Sequence, residues 1–256
     1  MQKILDFNRH GINYHVFRFS GNYEHGTVKD VGIKDIIKYA LSRDANVLVD
    51  VTHFIPAEYL RQATEVLGYK YDGRRLDYLA IPLGTGRVFV SFYRALNRLR
   101  RKDKQITTRL IGYVPAGENP IYHRFVTKKG GVNIIENFEP KSRAEKLSCP
   151  YTDLLPEIKI AMGDGHLVIE LDERDIANAN NQAYLVGEAN LPKNVLELED
   201  SASVGFTLTN LERAIALGVK DLKEGSNLGI FITGMGLYHI LPSWVEEKIK
   251  SVGRKN

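Results

Sequence analysis

The sequence has a single cysteine, Cys149, among its 256 residues. One cysteine excludes an intramolecular disulfide framework and any cysteine-rich zinc site. No apolar run approaches the ~20 residues that a membrane-spanning helix requires. The opening stretch MQKILDFNRHG holds too short an apolar run for a secretory signal. Histidines stand at positions 10, 15, 25, 53, 123, 166 and 239, none paired at metal-ligand spacing, and no zinc-protease helix or Ser-His-Asp signature is present. Internal repeats and low-complexity linkers are also missing. Excess charge of one sign is small, since 35 Lys and Arg against 31 Asp and Glu leave a net charge of +4. The expectation is a cytoplasmic protein with no membrane association and no metal.

What is present is ordinary for a soluble globular chain, with 43% hydrophobic and 26% charged residues. The length suits one substantial core. Short β-branched runs alternate with helical patterns throughout. YHVFRFSG, NVLVDVT, YLAIPLG, RLIGYVP, HLVIELD, NVLELED and LGIFITG read as strands. PAEYLRQATEVLGY, RVFVSFYRALNRLRRK and LLPEIKIAMG are among the helices between them. Strands that are apolar almost throughout, spaced by helices, predict an α/β fold whose mostly parallel central sheet is covered on both faces. A single domain over residues 1–256 is expected.

The densest basic cluster, Arg94, Arg98, Arg100, Arg101, Lys102 and Lys104, faces away from Phe92, Leu96 and Leu99 at helical spacing. A solvated helix face is the plainer meaning. The alternative is a surface for nucleic acid or an acidic partner, and the absence of interleaved aromatics argues against RNA. The segment Ile135–Asp153 is polar, holds two prolines and reads as a long irregular excursion, a feature that is often functional.

In open parallel sheets, ligands bind beyond the carboxyl ends of the strands. Three expected strand ends carry glycine or small polar residues, namely PLGTGR, ELEDSAS and FITGMG. A GTG turn entering a helix can offer backbone N–H groups to a phosphate, although tight turns also produce glycine pairs routinely. Lys29 raises a different question. Ile33, Ile36, Ile37 and Ala40 follow it at helical spacing, so it sits on the first turn of an amphipathic helix, where the helix dipole repels a cation. A solvated surface lysine is one meaning; a lysine whose amine does chemistry is the other.

Taken in order, these segments resemble the fold-type-II pyridoxal-phosphate (PLP) enzymes, threonine synthase most closely. GNYEHGTVKDVGI resembles the family's N-P-T-G-S-F-K-D-R-G segment. The stretch from LDYLAIPLGTGR to GYVPAGENPIY is similar to its phosphate-loop strand, helix and following V-x-P/A-E-G-x-x-P turn. LEDSASVGFTLTNLERAIALG and LGIFITGMGLYHI are similar to its E-P-S-x-A-A helix and its L-T-G-H-G-L segment. The resemblance implies Lys29 as the Schiff-base lysine, Gly84, Thr85 and Gly86 as the cofactor-phosphate cradle, and Thr233 at the pyridine nitrogen. It also implies a homodimer, for which Glu136–Asp153 is the expected contact, and an amino acid as ligand.

Departures accompany the likeness. The family's T-G-N-T turn is answered by DVTHFIP, with His53 and Phe54 after Thr52, and its E-P-S element has Asp200 in place of proline. After GTG stand Arg87 and Val88; valine cannot hydrogen-bond a phosphate, whereas Arg87 could reach one as a fork. Only about 50 residues separate Lys29 from Pro82, which one βαβ unit of roughly 30 residues and its flanks consume, leaving no room for the family's closing domain. Two readings follow. One is a threonine-synthase-like protein without the lid, its PLP catalysis degraded or absent, serving a structural, regulatory or binding role with a protein partner. The other is a minimal PLP-dependent lyase or synthase acting by β- or γ-elimination or replacement.

Overall fold

The computed structural model describes residues 2–9, 11–18, 55–144, 147–178 and 222–232. Lys29, Thr52, His53, Phe54, Asp200 and Thr233 lie outside the described residues, as do the expected strands NVLVDVT and NVLELED.

A hairpin opens the chain: β1 (Gln2–Arg9) and β2 (Ile12–Arg18), turned at Gly11. Helix α1 (Ile55–Gly68) follows, then a tight hairpin of β3 (Lys70–Tyr71) and β4 (Arg74–Arg75), and strand β5 (Tyr78–Pro82). Helix α2 (Arg87–Lys102) leads to β6 (Arg109–Pro115). A small antiparallel sheet combines β7 (Val126–Lys129), β8 (Val132–Ile135) and β9 (Tyr151–Thr152). Helix α3 (Leu155–Gly163), β10 (Leu167–Leu171) and β11 (Asn227–Ile232) complete the described elements.

The central sheet has the order β1-β2-β11-β5-β6-β10. Every neighbouring pair is parallel except β1 with β2. The fold is therefore α/β with a mostly parallel central sheet, as the apolar strand runs predict. One face, carrying Phe17, Leu79, Ile81, Leu110 and Phe231, packs with Phe89 and Phe92 of α2, Ala63 of α1 and Ile158 of α3 in one core. The other face is equally dry: Tyr78, Ala80, Ile111, Tyr113 and Ile230 are at most 2% exposed. Parallel strands buried on both sides need no alternation, which is why they read as continuous apolar runs.

Gly112 on β6 governs how closely α2 approaches the sheet. A Cβ there would lie 2.6 Å from Leu83 Cδ1 and 3.2 Å from Phe89 Cδ2, so the Phe89 ring rests on bare strand backbone. This contact seats the first turn of α2, and with it the turn that precedes the helix.

The α2 boundaries coincide with the amphipathic segment read from the sequence, but its basic face is partly committed. Arg94 Nε and Nη2 donate to the two carboxylate oxygens of Glu157 at 2.9 and 2.6 Å. Arg100 donates to the carbonyls of Ile106 and Thr108 at 3.0 and 2.9 Å. These two cations tie the helix to its own fold.

The structure adds elements that the sequence pattern concealed. β1 lies in the opening stretch, where Lys3, Asp6, Asn8 and Arg9 interrupt the apolar residues. The excursion Ile135–Asp153 is not irregular throughout, since β8 ends at Ile135 and β9 lies at its far end, paired antiparallel. These strands draw their order from pairing more than from propensity.

Candidate phosphate site at the strand ends

β5 and β6 are parallel neighbours, and each runs at its carboxyl end into a loop: Leu83–Gly86 and Ala116–Pro120. The backbone pairing extends one step past β5, with Leu83 N–H donating to Tyr113 O at 2.9 Å. Beyond that point side chains take over. Asn119 Nδ2 donates to the carbonyl of Gly84 at 2.9 Å, and Thr152 Oγ1 donates to the carbonyl of Thr85 at 2.7 Å. Asn119 is 1% exposed, and its Oδ1 accepts from the N–H of Ile121, which fixes the amide.

These two bonds orient the loop. In a planar trans peptide the N–H points opposite to the preceding carbonyl, and no described peptide is cis. With the Gly84 and Thr85 carbonyls turned toward Asn119 and Thr152, the N–H groups of Thr85 and Gly86 point the other way. Gly86 then precedes α2 with φ +91°, a conformation that favours glycine, and a Cβ there would press on the Cδ1 end of Ile158 at 2.6 Å. The first N–H groups of a helix have no acceptor within it. Here no side chain caps them and no acidic residue occupies the first turn. Aligned peptide dipoles add positive potential. Together these features make a cradle suited to a phosphate-sized anion.

The flanking residues divide. Arg87 is partly exposed, and its Nη2 lies 3.5 Å from Asp153 Oδ2, so its charge is met from the chain's own excursion. Val88 packs against the core instead of offering a polar group. Of the residues expected at the site, Gly84, Thr85, Gly86 and Arg87 are brought together; Lys29 and Thr233 lie outside the described residues. Among the described residues no group of three His, Cys, Asp or Glu could hold a metal, and no helix is long and apolar enough to cross a membrane.

Three contributors were missed in the sequence. Asn119 stands in a strand-end turn and could have been found by that rule. Thr152 comes from the excursion, and nothing local marks it. Glu118 is buried, with Oε1 accepting from Lys141 N–H at 2.9 Å, its carbonyl accepting from Cys149 N–H at 3.0 Å, and Oε2 without a hydrogen-bond partner. It pins the excursion against the loop after β6.

No family model matches the sequence, and no curated protein matches it. Among solved structures, a fungal L-serine ammonia-lyase from Rhizomucor miehei superposes with a TM-score of 0.52 at 16% identity, covering 80% of this chain and 58% of that one. The two share a fold. A threonine deaminase from T.th. (17% identity, TM-score 0.45, 74% of this chain and 53% of that one) and an O-ureido-L-serine synthase (16%, 0.48, 87% and 59%) also match. This chain spans less than two thirds of the length of each.

The Asn119 bond yields a direct expectation. Asn119→Ala leaves the Gly84 carbonyl without its donor and should destabilise the fold by about 1–3 kcal/mol, read by urea unfolding. A loss below about 0.5 kcal/mol, the range of neutral surface changes, would show that the loop does not depend on this bond.

Proposed function

We propose that the Gly84–Gly86 turn binds the phosphate of a pyridoxal-phosphate-type ligand in a threonine-synthase-like protein that lacks the closing domain. In this reading PLP catalysis is degraded or absent, and the chain, one domain over residues 1–256, serves a structural, regulatory or binding role. What supports it is that the N–H groups of Thr85 and Gly86 point away from Asn119 and Thr152 at a helix start without a side-chain cap. The cradle fits a phosphate. Arg87 would reinforce it once released from Asp153. When bound, PLP supplies an electron sink for bonds at an amino acid's α-carbon; Lys29 and Thr233 enter only through the family resemblance. A lid excludes water in such sites, and the interval between Lys29 and Pro82 leaves none.

The second reading, a minimal PLP-dependent lyase or synthase, draws support from topology. β11 and β5 are adjacent and parallel, so the carboxyl end of β11 and the Gly84–Gly86 turn lie at the same edge of the sheet. An assembly as a homodimer through Glu136–Asp153 accompanies either reading. Exposure of Tyr151 at 50% and of Phe125 at 79% beside the small sheet supports it, and light scattering that gives a monomer at high concentration would oppose it.

The experiment is a pair of titrations. Inorganic phosphate, followed by calorimetry, should bind saturably, and Gly86→Ala should abolish that binding. Asp153→Asn should tighten it by releasing Arg87. PLP should then bind without the yellow Schiff-base colour under the leading reading. Colour, with borohydride fixing the ring to Lys29 alone, would instead establish the lyase reading. Absence of any phosphate binding would overturn both.

A further inference from the structure

The far end of α2, opposite the Gly84–Gly86 turn, meets the β3–β4 hairpin. Arg75 joins them: Nη1 donates to the carbonyl of Leu67 near the end of α1 at 3.2 Å, and Nη2 donates to Asp103 Oδ2, just past α2, at 3.1 Å. Asp103 also accepts the N–H of Gln105 at 3.0 Å. That bond, with Arg75 and Lys70 adding to it, holds the Asp103 carboxyl below its ordinary range. Lys70 therefore reaches the helix end from the hairpin.

The junction concentrates positive charge. Residues 70–75 and 98–104 hold eight Lys and Arg against two Asp, an excess of six, whereas the whole chain has a net charge of +4. Three of the eight are committed: Arg75, Arg74 to the carbonyl of Gly225, and Arg100 to those of Ile106 and Thr108. Lys70, Arg98, Arg101, Lys102 and Lys104 are exposed, and their side chains make no ion pair or hydrogen bond among the described residues. Helix polarity explains part of the cluster, because cations in a last turn offset the dipole and the effect fades beyond that turn. Arg101 and Lys102 lie in it. Arg98 precedes it, Lys104 follows the helix and Lys70 comes from the hairpin, so the dipole accounts for none of these three.

The surroundings select the anion that relieves this repulsion. Tyr122, Phe125, Tyr151 and Ile160 are the exposed large apolar side chains among the described residues, and none belongs to this surface. Nothing here enters a lipid layer or stacks on a base. A nucleic-acid duplex is charged along its whole length, but the positive track is short. One turn before Arg98, on the same helix face, Arg94 is already taken by both carboxylate oxygens of Glu157. At the hairpin tip stands Asp72. A short acidic segment meets the five cations without running onto those carboxylates, and arginine forks match carboxylates in shape.

We propose that this surface docks a short Glu- and Asp-rich segment of a partner protein, with Arg98 and Arg101 forking onto its carboxylates and Lys70, Lys102 and Lys104 around them. Docking here does not depend on the phosphate turn at the other end of α2.

Fluorescein-labelled decaglutamate titrated with the full chain, and read by anisotropy, tests it. Saturable binding that weakens with added salt is expected. The double variant Arg98→Gln/Arg101→Gln should weaken it about fivefold, the scale of two exposed ion pairs. Arg124→Gln/Lys159→Gln removes the same charge from exposed positions elsewhere and should leave the affinity unchanged. Inorganic phosphate should behave alike with wild type and with Arg98→Gln/Arg101→Gln, so the two readings fail separately. The proposal is overturned if no saturable binding occurs, or if Arg98→Gln/Arg101→Gln binds as tightly as wild type. Equal weakening by both double variants would also overturn it, since binding would then follow overall charge. So would tighter binding of a short labelled DNA duplex than of the peptide.

Discussion

Phe89→Ala should destabilise the protein by about 3–5 kcal/mol, the cost of emptying a fully buried aromatic site, and should weaken phosphate binding at the Gly84–Gly86 turn. Phe89 is 0% exposed. Its ring lies against the backbone of Gly112, and it is the third residue of the helix whose start forms the cradle. Removing it leaves a void under the turn and frees the first turn of α2 to shift. The partner change is Gly112→Ala. In the wild-type background the new methyl meets Leu83 and Phe89 and should cost about 1–3 kcal/mol by overpacking. With Phe89 already truncated, the same methyl enters vacated space and should cost much less. Denaturant unfolding of the four variants gives the coupling energy directly. Simple additivity would show that ring and glycine do not share a contact, and that the seat of the helix lies elsewhere.

Acidification should cost about 3 kcal/mol through His166 alone. This imidazole is 2% exposed at the start of β10. Its Nδ1 accepts from the N–H of Leu110 at 3.0 Å, while Nε2 is buried without a partner. Burial, with the nearby Arg100 guanidinium adding to it, pushes its pKa from the ordinary 6.5 down to about 4. The folded state therefore refuses a proton that the unfolded chain accepts. Above pH 6.5 both states are neutral and the group contributes nothing to pH dependence. Stability falls as the pH drops from 6.5 toward 4, by about 2 kcal/mol at pH 5 and about 3 kcal/mol below pH 4. His166→Asn keeps an acceptor for Leu110 but does not titrate. Its unfolding free energy should decline less than that of wild type across this window, by those amounts. Parallel curves for the two proteins would show that His166 does not carry the acid sensitivity.

The two strongest expectations rest on residues with very different visibility. Phe89 belongs to RVFVSFYRALNRLRRK, whose apolar spacing at Phe92, Leu96 and Leu99 announces a helix, while the burial of Phe89 itself is a matter of its packing on the sheet. His166 opens HLVIELD and looks like the polar lip of a strand; its burial follows from the packing of Tyr93, whose ring crosses it edge-on with centroids 5.5 Å apart. The candidate site is divided in the same way. Gly84, Thr85 and Gly86 are legible as a turn between an apolar run and a helix, and as a phosphate cradle only through the family resemblance. Asn119 and Thr152, which set the direction of the turn's carbonyls, lie 35 and 67 residues away from the carbonyls they bind. No local pattern links positions so far apart.

By itself the sequence determined the alternation of strands and helices among the described residues, the boundaries of α2, the parallel character of the central sheet and the place of the Gly84–Gly86 turn. All of these follow from local periodicity, from unbroken apolar runs that only a doubly covered sheet accommodates, and from glycine where side chains are excluded. The tertiary structure alone decided the rest. It settled the antiparallel edge formed by β1, the small sheet that orders the excursion, and the pairing of Arg87 with Asp153. It also tied the carbonyls of Gly84 and Thr85 to Asn119 and Thr152, and brought Asp6, His15 and Tyr71 to one cavity. The physical reason is that each of these is a pairing between distant segments, and its free energy belongs to the pair rather than to either segment alone.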